Sequence, residues 1–252
     1  MQSLASQLRS LGPFFAVELH PAGTPLPGSW RPLAELVTDP AALPARIAAV
    51  RSVLASGSGL PDDAVERRVA ASAVLLGLAA RLLSPALAAA VLDGVLLDLA
   101  LDGLGWQPAP GSAFPLAVPA EAPRPGPAEG VRPGPAGIDG LAAGLADLLT
   151  GPIRQLVDAV DAACRLSPLV AWGNVGSAIN GAAIVLGQRR PELAARTYRL
   201  AAAVLARPPL GMTDPVAGPG FRRTSCCLRY RLAPGDRTAV CADCVLLAVP
   251  NR

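Results

Sequence analysis

A chain of 252 residues with 22 basic residues, all of them Arg, and 19 acidic ones carries a formal net charge of +3, too small and too dispersed for the clustered basic face that nucleic-acid binding requires. It is 52% apolar but only 4% aromatic, a vocabulary of Ala and Leu that belongs to packed helices rather than to sheets of β-branched and aromatic residues. Its most apolar stretch, residues 69–104, is interrupted by Arg81, Asp93, Asp98 and Asp102, which argues against a membrane span of roughly 18 uncharged residues; the amino terminus lacks the basic start and long apolar run of a secretory signal, so the expected compartment is the cytoplasm, where thiols stay reduced.

The first forty residues hold one short strand candidate, "LGPFFAVELH", and a loop punctuated by Pro and Gly, "HPAGTPLPGSWRP". Helices are predicted next. Asp39-Pro40 opens "PAALPARIAAVRSVLA", with Asp as N-cap and Pro at the first helical position. Pro61 opens "PDDAVERRVAASAVLLGLAARLL", and Ser84-Pro85 is read as the start of a third helix, "SPALAAAVLDGVLLDLAL". The stretch around residues 106–140 holds nine of the 27 prolines and is expected to be a connector, with "SAFPLAVPA" as a short extended segment and "EAPRPGPAEGVRPGPAG" polyproline-like and flexible. Four more helices follow: "IDGLAAGLADLLT", then three that begin at Pro152, Pro168 and Pro191.

In the helix opened at Ser167, Gly173, Gly176, Ser177, Ala178 and Gly181 are expected to let another backbone approach closely. Interior helix glycines cost up to about 1 kcal/mol each relative to Ala, so tight packing has to offset them. The organisation predicted is an amino-terminal segment with a helical core (1–107), a Pro/Gly-rich connector (108–140), a second helical block packing on the first (141–207) and a cysteine-bearing carboxyl-terminal module (208–252). The fold class is mainly α (α+β), a bundle-like core with a small C-terminal β-hairpin formed by "CLRYRL" and "TAVCADCVLL" about a turn at residues 233–236.

Four of the five cysteines, Cys226, Cys227, Cys241 and Cys244, lie within nineteen residues. A C-x-x-C pair such as Cys241 and Cys244 chelates one metal because the backbone between them turns sharply. Adjacent cysteines differ: on an extended strand their side chains point to opposite faces, so both reach one site only where the backbone bends. The pair Cys226-Cys227 therefore argues against an ordinary zinc knuckle, while a sulfide-bridged two-iron core spreads the four positions over a larger object. Zinc and iron-sulfur both remain open on the residues alone.

The pattern CC, thirteen residues, C-x-x-C, with "RRTSCCLRY" and "CADCVL" around it, resembles the FhuF family of ferric siderophore reductases. "LVAWGNVGSAINGAA" and "RRVAASAVLLGLAARLLSPALAAAVLDG" are similar to the helical segments of its actinobacterial members. The resemblance implies a 2Fe-2S cluster on Cys226, Cys227, Cys241 and Cys244, a ferric siderophore as substrate, an external electron donor and oxidoreductase activity in iron acquisition. One departure is the gap between the cysteine pairs, thirteen residues where about ten is expected in an all-Cys arrangement of this kind; the extra residues are assigned to the hairpin tip, around "APGDRTA".

Electrons are expected from outside because the chain has no dinucleotide-binding G-x-G-x-x-G after a strand and no P-loop. Arg223, Arg229 and Arg231, with Trp172 and Asn174 of the Gly-rich helix, are candidate residues around the cluster, since positive charge or hydrogen bonding near the sulfurs favours the reduced state. Two alternatives stand beside this reading: a zinc-binding structural module, and a 2Fe-2S electron relay without reductase turnover. Cys164, in "LVDAVDAACRL", is expected to be a core residue, and the single histidine, His20, to lack a metal or acid-base role.

Overall fold

The computed structural model describes residues 1–109, 111–126, 135–233 and 240–245. In chain order it contains α1 (Gln2–Leu11), β1 (Glu18–His20), β2 (Arg31–Pro32), α2 (Glu35–Thr38), α3 (Ala42–Ser58), α4 (Arg67–Leu92), β3 (Val95–Leu97), β4 (Gly105–Trp106), β5 (Leu116–Pro119) and β6 (Pro123–Pro125). The second half adds α5 (Pro135–Thr150), α6 (Pro152–Cys164), α7 (Pro168–Arg189) and α8 (Ala194–Leu205). The fold is mainly helical, as composition predicts.

The expected break at Ser84-Pro85 does not occur. Pro85 sits inside α4, which continues to Leu92, and twenty of its 26 residues are buried. An interior proline costs about 3 kcal/mol, whereas each fully buried Leu contributes about 1.5–3 kcal/mol; Leu75, Leu78, Leu82, Leu83 and Leu87 are all buried, so packing outweighs the lost hydrogen bond.

Arg81, the charge that interrupts the apolar run, is 1% exposed and acts as an anchor. Its Nε donates to the Phe114 carbonyl at 2.8 Å, Nη1 to that of Pro13 at 3.0 Å and Nη2 to that of Ala16 at 2.9 Å. Burial lowers its pKa to about 10, so the guanidinium stays charged at neutral pH, and its donors hold the turn after α1 and the approach to β5 against α4.

α7 runs along α4, its most extensive partner, with α8 on α7 and α5 on α8. One core cluster, from Leu4 to Phe221, includes side chains of both helical blocks. α4 and α7 are each long and apolar enough to cross a membrane, but 89% and 61% of their most apolar windows are buried inside the protein.

The Pro-rich region is more ordered than expected. β5 runs parallel to β1 and antiparallel to β4, and β2 closes the sheet in the order β1-β5-β4-β2. β6, drawn from the stretch read as a flexible connector, pairs antiparallel with β3. Prolines sit here without harm because β2 and β6 are edges, where a missing N–H breaks no interior ladder. Residues 110 and 127–134 of the connector lie outside the described residues.

The carboxyl-terminal hairpin is also corrected. Arg229–Leu232 forms a 3-10 turn, and residues 240–245 contain turns without strand. Leu228 and Leu232 both pack on the small cluster of Ala55, Val65 and Val69; in a strand they would stand roughly 13 Å apart, and a tight turn brings them to one patch. The expected tip, residues 234–239, lies outside the described residues.

Candidate metal centre

Glycine in α7 seats the cysteine segment. A Cβ on Gly173 would lie 2.1 Å from Ser225 Oγ and 3.3 Å from Arg223 Nη2, so residues 223–225 rest directly on the helix, and Ser225 Oγ donates to the Leu169 carbonyl at 2.6 Å. The two cysteine-bearing segments are then clasped together. Arg223 N–H donates to the Asp243 carbonyl at 3.1 Å, and the Asp243 carboxylate accepts from Ser177 Oγ on α7.

The bend demanded by adjacent cysteines is present. Leu228, the residue after the pair, adopts a left-handed conformation (φ 69°, ψ −1°), uncommon for a non-glycine residue, and its N–H donates to Cys226 Sγ at 3.2 Å. Cys227 Sγ lies 3.5 Å from Cys241 Sγ, which joins one thiol of each pair. Cys244 is buried and its N–H donates to the Cys241 carbonyl at 3.1 Å.

These thiols feel one another. The hydrogen bond with Cys241, the main-chain N–H of Arg229 and the charge of Arg223 hold the Cys227 thiol down, to about 6, against the opposing effect of burial. Cys241 is pushed the other way, up, by that same contact and by burial. Burial raises Cys226, with further upward pressure from Cys227 and Cys244, while Arg223 pulls it down. Thiols acting on each other in this way favour a partner that takes up several thiolates at once.

A buried polar chain runs from this site into the helices. Arg223 is 3% exposed, with Nη2 donating to Asn174 Oδ1 at 2.6 Å. Asn174 Nδ2 donates to Ser72 O and Ser72 Oγ, each at 2.9 Å, and Ser72 Oγ donates to the Cys227 carbonyl at 2.8 Å. Arg223 has no carboxylate at ion-pair distance among the described residues, and its buried Nε has no hydrogen-bond partner there. A buried cation so placed is costly unless negative charge faces it.

Not every candidate joins this chain. Arg229 is exposed and lines a hollow beside the thiols. Arg231 reaches the other way, donating from Nη1 to both carboxylate oxygens of Glu66 at 2.7 Å, and Trp172 lies under Arg154, 5.0 Å from its ring centroid. Ser72 was missed by sequence reading, its only signal a hydroxyl on an otherwise apolar helix, and Ser177 was read as a small residue for close packing, not as a hydrogen-bonding one. Cys164 packs against the core at the end of α6, and the His20 ring bonds to the carbonyls of Pro21 and Gly103.

The hollow measures 290 Å³, and its walls include Leu76, Ser177, Arg223, Arg229, Cys227 and Cys241. It opens the Cys227–Cys241 side of the thiols to a second molecule.

Residues 223–246 match the family model described as the FhuF 2Fe-2S C-terminal domain. No curated protein matches the chain. The match bears out the FhuF-like resemblance for this segment and makes its cofactor a 2Fe-2S cluster rather than zinc. The residues present fit that group. Thiols that act on one another's charge, a main-chain N–H on Cys226 Sγ and the orphaned Nε–H of Arg223 suit an anionic group of thiolate ligation.

Proposed function

We propose that this iron-sulfur, siderophore-related protein is a cytoplasmic ferric siderophore reductase, with Cys226, Cys227, Cys241 and Cys244 as the cluster ligands. The 2Fe-2S group supplies a one-electron relay. With that group held by the four cysteines, an external donor would supply the electron and Fe(III) in a siderophore would receive it, so that the weaker Fe(II) complex would release its iron.

The chain's own residues support the parts of this reaction. Arg223 offers buried positive charge beside the thiols and so favours the state carrying one more electron; formal charges give about −2 oxidised and −3 reduced. Asn174 and Ser72 fix the guanidinium and the Cys227 carbonyl relative to each other, which limits the reorganisation that accompanies a change in charge. The hollow against Cys227 and Cys241 offers a ferric chelate an approach to the site among the described residues.

The observation that carries the reading is the match of residues 223–246 to an iron-sulfur domain of a siderophore-reductase family, coinciding with a thiol pair that borders an open hollow. The test is anaerobic turnover with a chemical reductant as donor, ferric siderophores as substrates and ferrozine to trap Fe(II). Continuous Fe(II) release dependent on the protein is expected. Protein with an intact cluster that releases no Fe(II) from any ferric siderophore would overturn it.

A further inference from the structure

A second hollow, 360 Å³, adjoins the one beside the thiols, between α7, the middle of α4 and the turn after α1, and Leu76 and Ser177 line both. Helical periodicity makes the walls of the two hollows. Ala73, which lines the first, Leu76, which lines both, and Ala80, which lines the second, are half-exposed positions in a buried stretch of α4, spaced i, i+3, i+7 on one face. Ser177, Gly181 and Val185 are the opposing stripe of α7.

Gly181 behaves unlike Gly173. A Cβ there would meet nothing within 4 Å, so no close approach accounts for a residue that costs about 1 kcal/mol in a helix interior. What glycine does at this position is leave the groove wide. Phe14 walls one side, and Arg189 stands exposed at the far end without an acidic partner among the described residues.

We propose that this joined groove is the substrate site, holding an elongated ferric chelate with its iron end against Cys227 and Cys241. Its mostly aliphatic body lies along Ala80 and Gly181, and a carboxylate or carbonyl-rich end lies at Arg189. The inference rests on the reductase reading, since a groove that shares Leu76 and Ser177 with the hollow at the thiols fits a substrate that must bring Fe(III) there. The step is one electron from the reduced cluster to Fe(III), giving Fe(II); only iron–oxygen bonds break, and the external one-electron donor restores the cluster.

Two probes separate this groove from the reductase reading. The first is the redox-inert gallium(III) complex of ferrioxamine B, a linear trihydroxamate with an ammonium end, and of its N-succinyl derivative with a carboxylate end, titrated calorimetrically into holoprotein. The second is reduction of the corresponding iron complexes. Gly181→Trp should keep the cluster's absorption spectrum, weaken gallium-complex binding at least tenfold and raise KM by a similar factor. Arg189→Glu should weaken the carboxylate-ended complex and strengthen the ammonium-ended one. Unchanged binding and KM in both variants would overturn the groove, even with a fully active wild type. A wild type that binds the gallium complexes in a Gly181-dependent way but reduces no ferric siderophore would overturn the reductase and leave the groove standing.

Discussion

The helical core and the cysteine segment are held in opposite ways. α4 is an apolar rod whose twenty buried residues make its place a matter of area removed from water, a non-directional force that tolerates a proline in mid-helix. Residues 221–233 and 240–245 contain no longer element than a four-residue 3-10 turn. A short list of directional bonds joins them to the helices: Ser72 to Cys227, Asn174 to Arg223, Ser225 to Leu169, and Ser177 to Asp243. The core therefore defines a rigid platform, and the segment is positioned on it by these bonds together with the apolar contacts of Phe221, Leu228 and Leu232. That division suits a redox group, whose charge changes while its surroundings should not.

Breaking each region alone should expose the difference. The largest effect is expected from Cys227→Ser or Cys241→Ser, which should abolish the visible absorption and EPR signal of the cluster while circular dichroism keeps its helical intensity. Loss of helicity in step with the cluster would mean that the segment holds the core together. Leu75→Ala, at a position with no exposure, should do the reverse: destabilisation of about 2–5 kcal/mol in thermal or urea unfolding, with an unchanged spectrum in the folded protein.

Arg223→Gln sharpens the comparison because it acts on both regions. It removes the buried cation that faces the thiols, so the midpoint potential should fall, by about 59 mV for each tenfold change in a one-electron equilibrium, while Arg223→Lys should recover part of the shift. A potential unmoved by Arg223→Gln in a protein with an intact cluster would remove this residue from the redox role. Ser72→Ala should cost about 1–3 kcal/mol, because it strips the Cys227 carbonyl and the Asn174 amide of a buried partner. The smallest effect belongs to Arg231→Ala: its partner Glu66 is exposed, surface pairs contribute little, and neither melting temperature nor cluster spectrum should change measurably.

How much of this was legible in the sequence follows the same division. Helix starts marked by Pro152 and Pro168 are where they were predicted, and Pro191 opens a 3-10 turn that leads into α8 at Ala194, because proline at the first turn acts locally. Ser84-Pro85 carries the same local mark, yet α4 runs through it, since burial on all sides is a tertiary effect that two residues do not encode. The sheet was read only in fragments, for its strands are two to four residues long, too short for alternation to register.

At the site, the cysteines and the need for a bend after Cys226-Cys227 were legible, and the bend is at Leu228. Asn174 and Arg223 were named singly; that one donates to the other, across 49 residues of sequence, was not. Gly173 and Gly181 look identical in sequence and do opposite things, one admitting the segment and the other opening the groove, because a missing side chain says nothing about what lies in front of it.

Under the proposed function, the cluster on this segment passes its electron directly to a ferric chelate. The most direct measurement is a single turnover: holoprotein is reduced anaerobically to one electron per chain, freed of reductant and mixed with excess ferric siderophore in a stopped-flow spectrometer. Recovery of the oxidised cluster's visible absorption is expected at the rate at which Fe(II) appears, with one Fe(II) formed per chain. A cluster that stays reduced in the presence of excess ferric siderophore would contradict it.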